Sequence, residues 1–301
     1  MHIVIVGGNG FIGRNFSARA ERAGHRITIV GRSVDYAGHH DYLPGGQVAL
    51  AASPSLLVHA DLVCHLASST IPATADADPI GDVQTNLVDT LRLLEAMRHS
   101  GNGRLLYLSS GGAIYGAGTS VPICEDHPTD PLSAYGIAKL AVEKYLAMYA
   151  RTGALHPMII RPSNAYGSGQ ASYGRLGAVT TFFNLAVRGE RATIWGNGTV
   201  VRDYIHVSDI CELMLRAAEE RQTGIYNCGS GRGTSLLDLL ALIETITGKP
   251  IARDMRPPRP FDPPAIVLDT ARARSTFGWV PKVSLESGVR MLLENPSQTS
   301  V

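Results

Sequence analysis

The sequence predicts an α/β protein on a doubly wound parallel sheet, with a smaller, interleaved C-terminal region. Three observations predict it. Short apolar runs rich in Val, Ile and Leu alternate with helix-length amphipathic segments through the first half, the rhythm of strand–helix–strand units. Three glycines separate the first run from the first helix. After residue 163 the texture shifts to Gly, Ser and Tyr. The chain has 301 residues, 45% apolar, with a net charge of +1, enough for one large domain or two closely packed ones. Near-neutral charge offers no electrostatic footing for nucleic acid or an anionic membrane.

Taken in order, "HIVIV" (2–6), "RITIV" (26–30), "ADLVCHLA" (60–67), "RLLYLSS" (104–110) and "HPMIIRP" (156–162) read as strands. Their continuous hydrophobicity implies cover on both faces. Helices are expected at 11–23, 81–99 and 133–151. The middle one places apolar residues at 83, 87, 91, 94 and 97 on one stripe, with Gly101 as its stop. Short strands follow at 192–195 and 200–205. The proline-rich "RPPRPFDPP" (256–264) excludes regular structure and reads as an ordered loop or lid. A dinucleotide-type domain is expected over 1–163, with 200–220 returning to it. The substrate region is expected over 164–199 and 221–301.

Four scattered cysteines, Cys64, Cys124, Cys211 and Cys228, form no CxxC pair. Neither a metal site nor a disulfide framework follows, and a reducing cytoplasm is the expected compartment. The start "MHIVIVGG" reads as a buried strand and not a leader. No apolar run approaches the ~20 residues of a membrane span.

Gly7, Gly10 and Gly13 stand between the first strand and the first helix in "HIVIVGGNGFIGRNF". Such glycines let the backbone turn tightly and approach a pyrophosphate, which the helix N-terminus then receives. Phe11 and Ile12 complete that turn. After the second strand the chain reads "GRS", with Arg32 and Ser33 where an NAD-binding carboxylate would stand. A guanidinium there suits a 2′-phosphate, with Arg14 in support, so NADP is favoured over NAD. Arg32 stacked on adenine, touching no phosphate, leaves NAD open.

"DPLSAYGIAK" puts Tyr135 and Lys139 one turn apart on a helix that Asp130 or Ser133 caps. A phenol has a pKa of about 10, too high for a base at neutral pH. The nearby ammonium and a bound nicotinamide cation are expected to lower it, making Tyr135 the base and Lys139 its partner.

With "GGNGFIG", "HLAS", Asn86, "YGIAK", "RPSNAYGSGQ", "VRDYIHVSD", "YNCGSG" and "DTARARSTFGWVPKVSLESGV", the chain resembles the extended short-chain dehydrogenase/reductase family. Its likeness is to the nucleotide-sugar epimerases and dehydratases, over nearly the whole length. The resemblance implies that Tyr135 acts on a sugar hydroxyl and that Lys139 positions Tyr135 and the cofactor. It implies that Leu66, Ala67, Ser68, Asn86, Ser109 and Pro162 lie along the dinucleotide. His65 is either another such residue or a satisfied core histidine. Asn164, Arg202 and Arg259 would hold the nucleotide-sugar, the arginines its diphosphate or, alternatively, surface ion pairs. A homodimer through helices 81–99 and 133–151 is also implied.

Three departures from the family pattern stand out. Relatives carry a catalytic Ser or Thr at the place of Gly111, leaving Ser110 as the nearest hydroxyl. The cofactor carboxylate is missing. The stretch between Arg32 and the third strand is short, without an evident acidic adenine contact. A transient-oxidation 4-epimerase, with hydride passing to and from bound nicotinamide, is the expected activity. The alternatives are an NADPH-dependent 4-ketoreductase of a keto-deoxy sugar nucleotide and a dinucleotide-binding sensor that lost its catalytic hydroxyl. A dehydratase is disfavoured because Gly111, Gly112 and Ala113 stand where an acidic pair is needed.

Overall fold

A computed structural model describes residues 1–33, 38, 40–117, 120–170, 177–258 and 262–294. The first strand β1 (His2–Val6) leads through the glycine turn into α1 (Phe11–Arg22), then β2 (Arg26–Gly31) and a short edge strand β3 (Asp41–Pro44). Two brief helices, α2 (Gly46–Ala51) and α3 (Pro54–His59), precede β4 (Leu62–His65). Next come α4 (Pro72–Ala77), α5 (Pro79–Asp82), a π-helical turn over Val83–Val88, α6 (Asp89–Ser100) and β5 (Arg104–Leu108). The second half holds α7 (Ala134–Arg151), β6 (His156–Pro162), β7 (Asn164–Tyr166), α8 (Ala178–Arg188), β8 (Ala192–Trp195), β9 (Val201–His206) and α9 (Val207–Glu220). It closes with β10 (Gly224–Cys228), β11 (Gly233–Ser235), α10 (Leu236–Thr247), β12 (Arg253–Arg256), β13 (Ala265–Ile266), α11 (Ala271–Phe277) and α12 (Leu285–Glu294).

The main sheet runs β10-β6-β5-β4-β1-β2-β3. Pairing is parallel between β1 and β2, β1 and β4, β2 and β3, β4 and β5, and β5 and β6. This is the Rossmann order, and it reverses between β1 and β4, where ligands bind outside the strand ends. All seven strands read from the sequence are present, five in this sheet and the two short ones as β8 and β9. The edges β3 and β10 were not read, because four or five residues beside turns carry little periodicity. The expected 81–99 helix exists but is broken by the π turn, a feature frequent at functional sites. Gly101 ends it in the left-handed conformation, φ +75°.

The chain divides into two units. The first comprises Met1–Ile114, Ser133–Arg161 and Cys211–Tyr226. One face of its sheet (Val4, Val6, Val63, Leu105, Tyr107) packs on Leu93, Leu94 and Met97 of α6 and Val142 and Leu146 of α7. Each such buried aliphatic side chain contributes about 1.5–3 kcal/mol. The second unit comprises Tyr115–Leu132, Pro162–Ile210 and Asn227–Val301. Its core joins Phe182 and Phe183 of α8, Leu239, Leu240 and Ile243 of α10, and Val289 and Leu292 of α12. Beside that core the buried Asp203 carboxylate accepts hydrogen bonds from Ser230 N–H and O–H, Gly231 N–H and Leu268 N–H, tying two loop segments to β9. Among the described residues no helix is long and apolar enough to cross a membrane.

Candidate active site

The glycine turn lies at the sheet's reversal point. Gly7 adopts φ +84°, and a Cβ there would stand 2.7 Å from Ala67 N. A Cβ on Gly13 would stand 2.3 Å from Gly7 O, so both positions require glycine on internal grounds alone. Gly10 differs: its backbone is extended (φ −74°, ψ 175°), and only Gly7 O, at 3.2 Å, would touch a Cβ. No side chain caps α1, and its first turn carries no acidic residue. Phe11, Ile12 and Gly13 thus form an uncapped helix start beside a bare glycine, an arrangement that fits a dinucleotide pyrophosphate. Leu66 and Ala67, just after β4, close the turn from the other side, and Leu66 N–H donates to Val6 O.

At the end of β2, Arg32 and Ser33 are exposed. The Arg32 stem packs near Gly46, where a Cβ would come within 3.3 Å of its Cγ. Ser33 contributes its carbonyl to the Tyr42 hydroxyl at 2.6 Å.

Tyr135 and Lys139 lie on the first turns of α7, which Ser133 caps by accepting from Gly136 N–H. Ser110, the hydroxyl before the two glycines, is near enough to Tyr135 to favour its phenolate. Lys139 Nζ donates to Leu108 O at 2.9 Å and lies 5.8 Å from the Tyr135 ring centroid. The electrostatics differ from the expected lowering of the phenol. Burial pushes Tyr135 up to about 12, against the Ser110 hydrogen bond, with the Asp82 charge adding to the rise. Burial likewise brings Lys139 down to about 8, opposed by Asp82 and Glu143. Desolvation disfavours the charged form of each group, and here it is the largest influence on both.

Several residues named from the sequence occupy more structural positions. Ser109 is buried, and its hydroxyl donates to Glu143, which also holds Arg161 in a buried two-bond pair. His65 engages Gln47 and Thr90 through Nε2 and stacks tilted on Tyr107. Burial, then Lys139, lowers it to about 3, so it is a neutral core histidine. Ser68 donates to Thr70 O. Asn86 sits in the π turn: its amide donates to Asp82 Oδ1 and Thr70 Oγ1, and its carbonyl oxygen accepts from Ser69 N–H. Pro162 ends β6.

In the second unit, Asn164 and Arg202 lie on adjacent parallel strands, β7 and β9. Asn164 donates to Asp203 O. The Arg202 guanidinium donates to Val201 O and Pro263 O and lies 3.7 Å from Asp262; burial lowers its pKa. Arg259 lies outside the described residues.

Asp82 was missed by sequence reasoning. It is 1% exposed and faces Tyr135 and Lys139 across a cavity of about 10 Å³. No sequence signal marks it, because its proximity to Lys139 arises from packing α5 against α7. Glu143, one turn beyond Lys139 on α7, is marked in the sequence only by that spacing.

Comparison with known proteins places these features in context. Residues 3–229 match the model of the NAD dependent epimerase/dehydratase family. A UDP-glucose 4-epimerase of Mycolicibacterium smegmatis is 32% identical over 308 residues, covering 98% of each chain. The crystal structure of UDP-glucose 4-epimerase from Thermotoga maritima with UDP-glucose superposes with a TM-score of 0.91 at 33% identity, covering 99% of each chain. The crystal structure of UDP-glucose 4-epimerase from Thermus thermophilus in complex with NAD gives 0.89 at 28% identity, covering 98% of each. With its glycine turn at the sheet reversal and Tyr135 and Lys139 on one face of α7, this chain belongs to the NAD dependent epimerase/dehydratase family.

Proposed function

We propose that the protein is a nucleotide-sugar 4-epimerase, interconverting UDP-glucose and UDP-galactose. The observation that carries this is the Ser110–Tyr135–Lys139 cluster in a chain whose near-full-length relatives are UDP-glucose 4-epimerases. When bound, the nicotinamide supplies a reversible two-electron oxidant at the sugar C4. Tyr135 accepts the C4 hydroxyl proton and returns it to the same oxygen after the ring has turned. Ser110 donates to the Tyr135 oxygen and steadies its charged form. Lys139 holds the opposite charge beside it, which favours the phenolate once substrate and cofactor exclude water. Asn164 and Arg202, together with Arg259, bind the nucleotide-sugar.

NADP is the preferred dinucleotide. Arg32 is exposed at the end of β2, a position from which a guanidinium can pair with a 2′-phosphate. The working form is a homodimer. Ile80 and Val83, and Ile137, Tyr145 and Met148 of α7, are large apolar side chains left exposed, and a second copy covers them. Four cysteines, none of them in a disulfide, suit a cytoplasmic setting.

Incubating purified protein with UDP-galactose and resolving products by chromatography tests the activity. UDP-glucose should form without net consumption of dinucleotide. Consumption of added NADPH with a keto-sugar nucleotide, and no epimerisation, would establish the reductase instead. Dinucleotide binding with no turnover of any sugar nucleotide would establish the sensor.

A further inference from the structure

Asp82 is a carboxylate buried to 1% exposure at the C-terminal end of α5, where the helix passes into the π turn. Its Oδ1 accepts from Thr70 Oγ1 and Asn86 Nδ2. Its Oδ2 is buried and has no hydrogen-bond partner among the described residues. Asp82 and Lys139 line the same cavity as Tyr135, Ser68 and Asn86, and its volume of about 10 Å³ is the room that one water or one ligand hydroxyl takes. A buried carboxylate oxygen left without a donor is costly, and an ammonium with a single carbonyl partner, Leu108 O, has donors to spare.

We propose that Asp82 is a positioning residue for the Tyr135–Lys139 pair, its free carboxylate oxygen and the Lys139 ammonium sharing one hydroxyl across this cavity. The carboxylate thereby keeps Lys139 charged and resists early loss of the Tyr135 proton. The other groups around Lys139 do not duplicate this role. Glu143, on the same helix, also favours the Lys139 charge, after Asp82, but its oxygens already accept from Ser109 and from Arg161 of β6. His65 of β4 is held neutral, at about 3. Tyr107 of β5 meets Lys139 through its ring, 5.0 Å away, and burial pushes its phenol well up. Asp82 is the carboxylate in this set with an oxygen left to accept.

The direction of the effect follows from charge. Replacing Asp82 by a neutral isostere weakens the hold of Lys139 on its proton and eases ionisation of Tyr135, so both midpoints move to lower pH. The inference rests on the proposed reading together with the role in positioning the cofactor that the family resemblance implies for Lys139, and its test does not need turnover. NADH fluorescence titrations of the full-length protein from about pH 6 to about pH 10 should show affinity falling through a midpoint near the Lys139 value of about 8. In Asp82→Asn that midpoint should move acidward by about one pH unit, and in Asp82→Glu it should return. In Thr70→Val, which removes one donor to the carboxylate, it should move alkaline. Lys139→Met should bind with no midpoint. A uniformly weaker Asp82→Asn with the wild-type midpoint would mean a structural role and overturn the proposal; so would a wild-type affinity that does not change with pH. If UDP-sugars are turned over, both limbs of the kcat/KM profile of Asp82→Asn should shift acidward together. A wild type without turnover whose NADH midpoint still responds to Asp82 would sink the epimerase reading and leave this one standing.

Discussion

At the scale of single residues, the proposed reading assigns the chemistry to Tyr135 and a supporting hydrogen bond to Ser110. Tyr135→Phe should abolish epimerisation while dinucleotide affinity, measured by fluorescence, stays within a few fold. Ser110→Ala should lower kcat by roughly 10²–10³, the cost typical of one lost transition-state donor, and near-normal turnover would remove Ser110 from the mechanism. Arg32 sets cofactor choice in the proposed reading. Arg32→Glu should invert the NADP-to-NAD affinity ratio in equilibrium titrations, because a carboxylate repels a 2′-phosphate and accepts from ribose hydroxyls. The residue types and spacing of the Tyr–Lys pair were legible because i,i+4 geometry is local. The net shift of the phenol was not, since it depends on how far the rest of the chain buries it.

At the scale of elements, the glycine turn was legible for a related reason. Strand, turn and helix are contiguous, and the close approaches that demand glycine occur within seven residues, from Gly7 to Gly13, plus Ala67. Gly13→Ala places a Cβ against Gly7 O and the Gly8 backbone, which can yield only by shifting α1 from β1. The expected result is loss of dinucleotide binding together with a lowered Tm, whereas Gly10→Ala should weaken binding with little change in stability. Thermal melts and titrations of the two variants separate the internal from the ligand-facing glycine. The π turn over Val83–Val88 was not legible: its sequence keeps a helical stripe, and the extra residue per turn emerges only where Asn86 bonds Asp82, Thr70 and Ser69.

At the scale of the whole molecule, stability and activity oppose each other at Lys139. Its folded-state pKa, about 8, lies below the ordinary lysine value of 10.5. Below the lower value both folded and unfolded states carry the proton, and the folded state bears the full cost of a buried charge. Between the two values the unfolded state binds more protons, so stability rises with pH across that window. Lys139→Met should therefore raise the Tm at neutral pH, by a few degrees on the scale of about 2–4 °C per kcal/mol. The advantage over wild type should shrink as pH climbs from about 8 towards 10.5, and activity should be lost throughout. A variant less stable than wild type at pH 7 would show that Lys139 holds the fold together as well as the site.

The sequence by itself determined the doubly wound sheet, its five central strands, the dinucleotide turn and the tyrosine–lysine pair. Each is written in short-range periodicity and spacing. Tertiary structure alone decided that Asp82 faces Lys139, that Ser109 belongs to Glu143 and Arg161, that His65 is a neutral core residue and that burial raises the Tyr135 phenol. Those outcomes depend on desolvation and on charges brought together from segments dozens of residues apart, and neither quantity exists until the chain has packed.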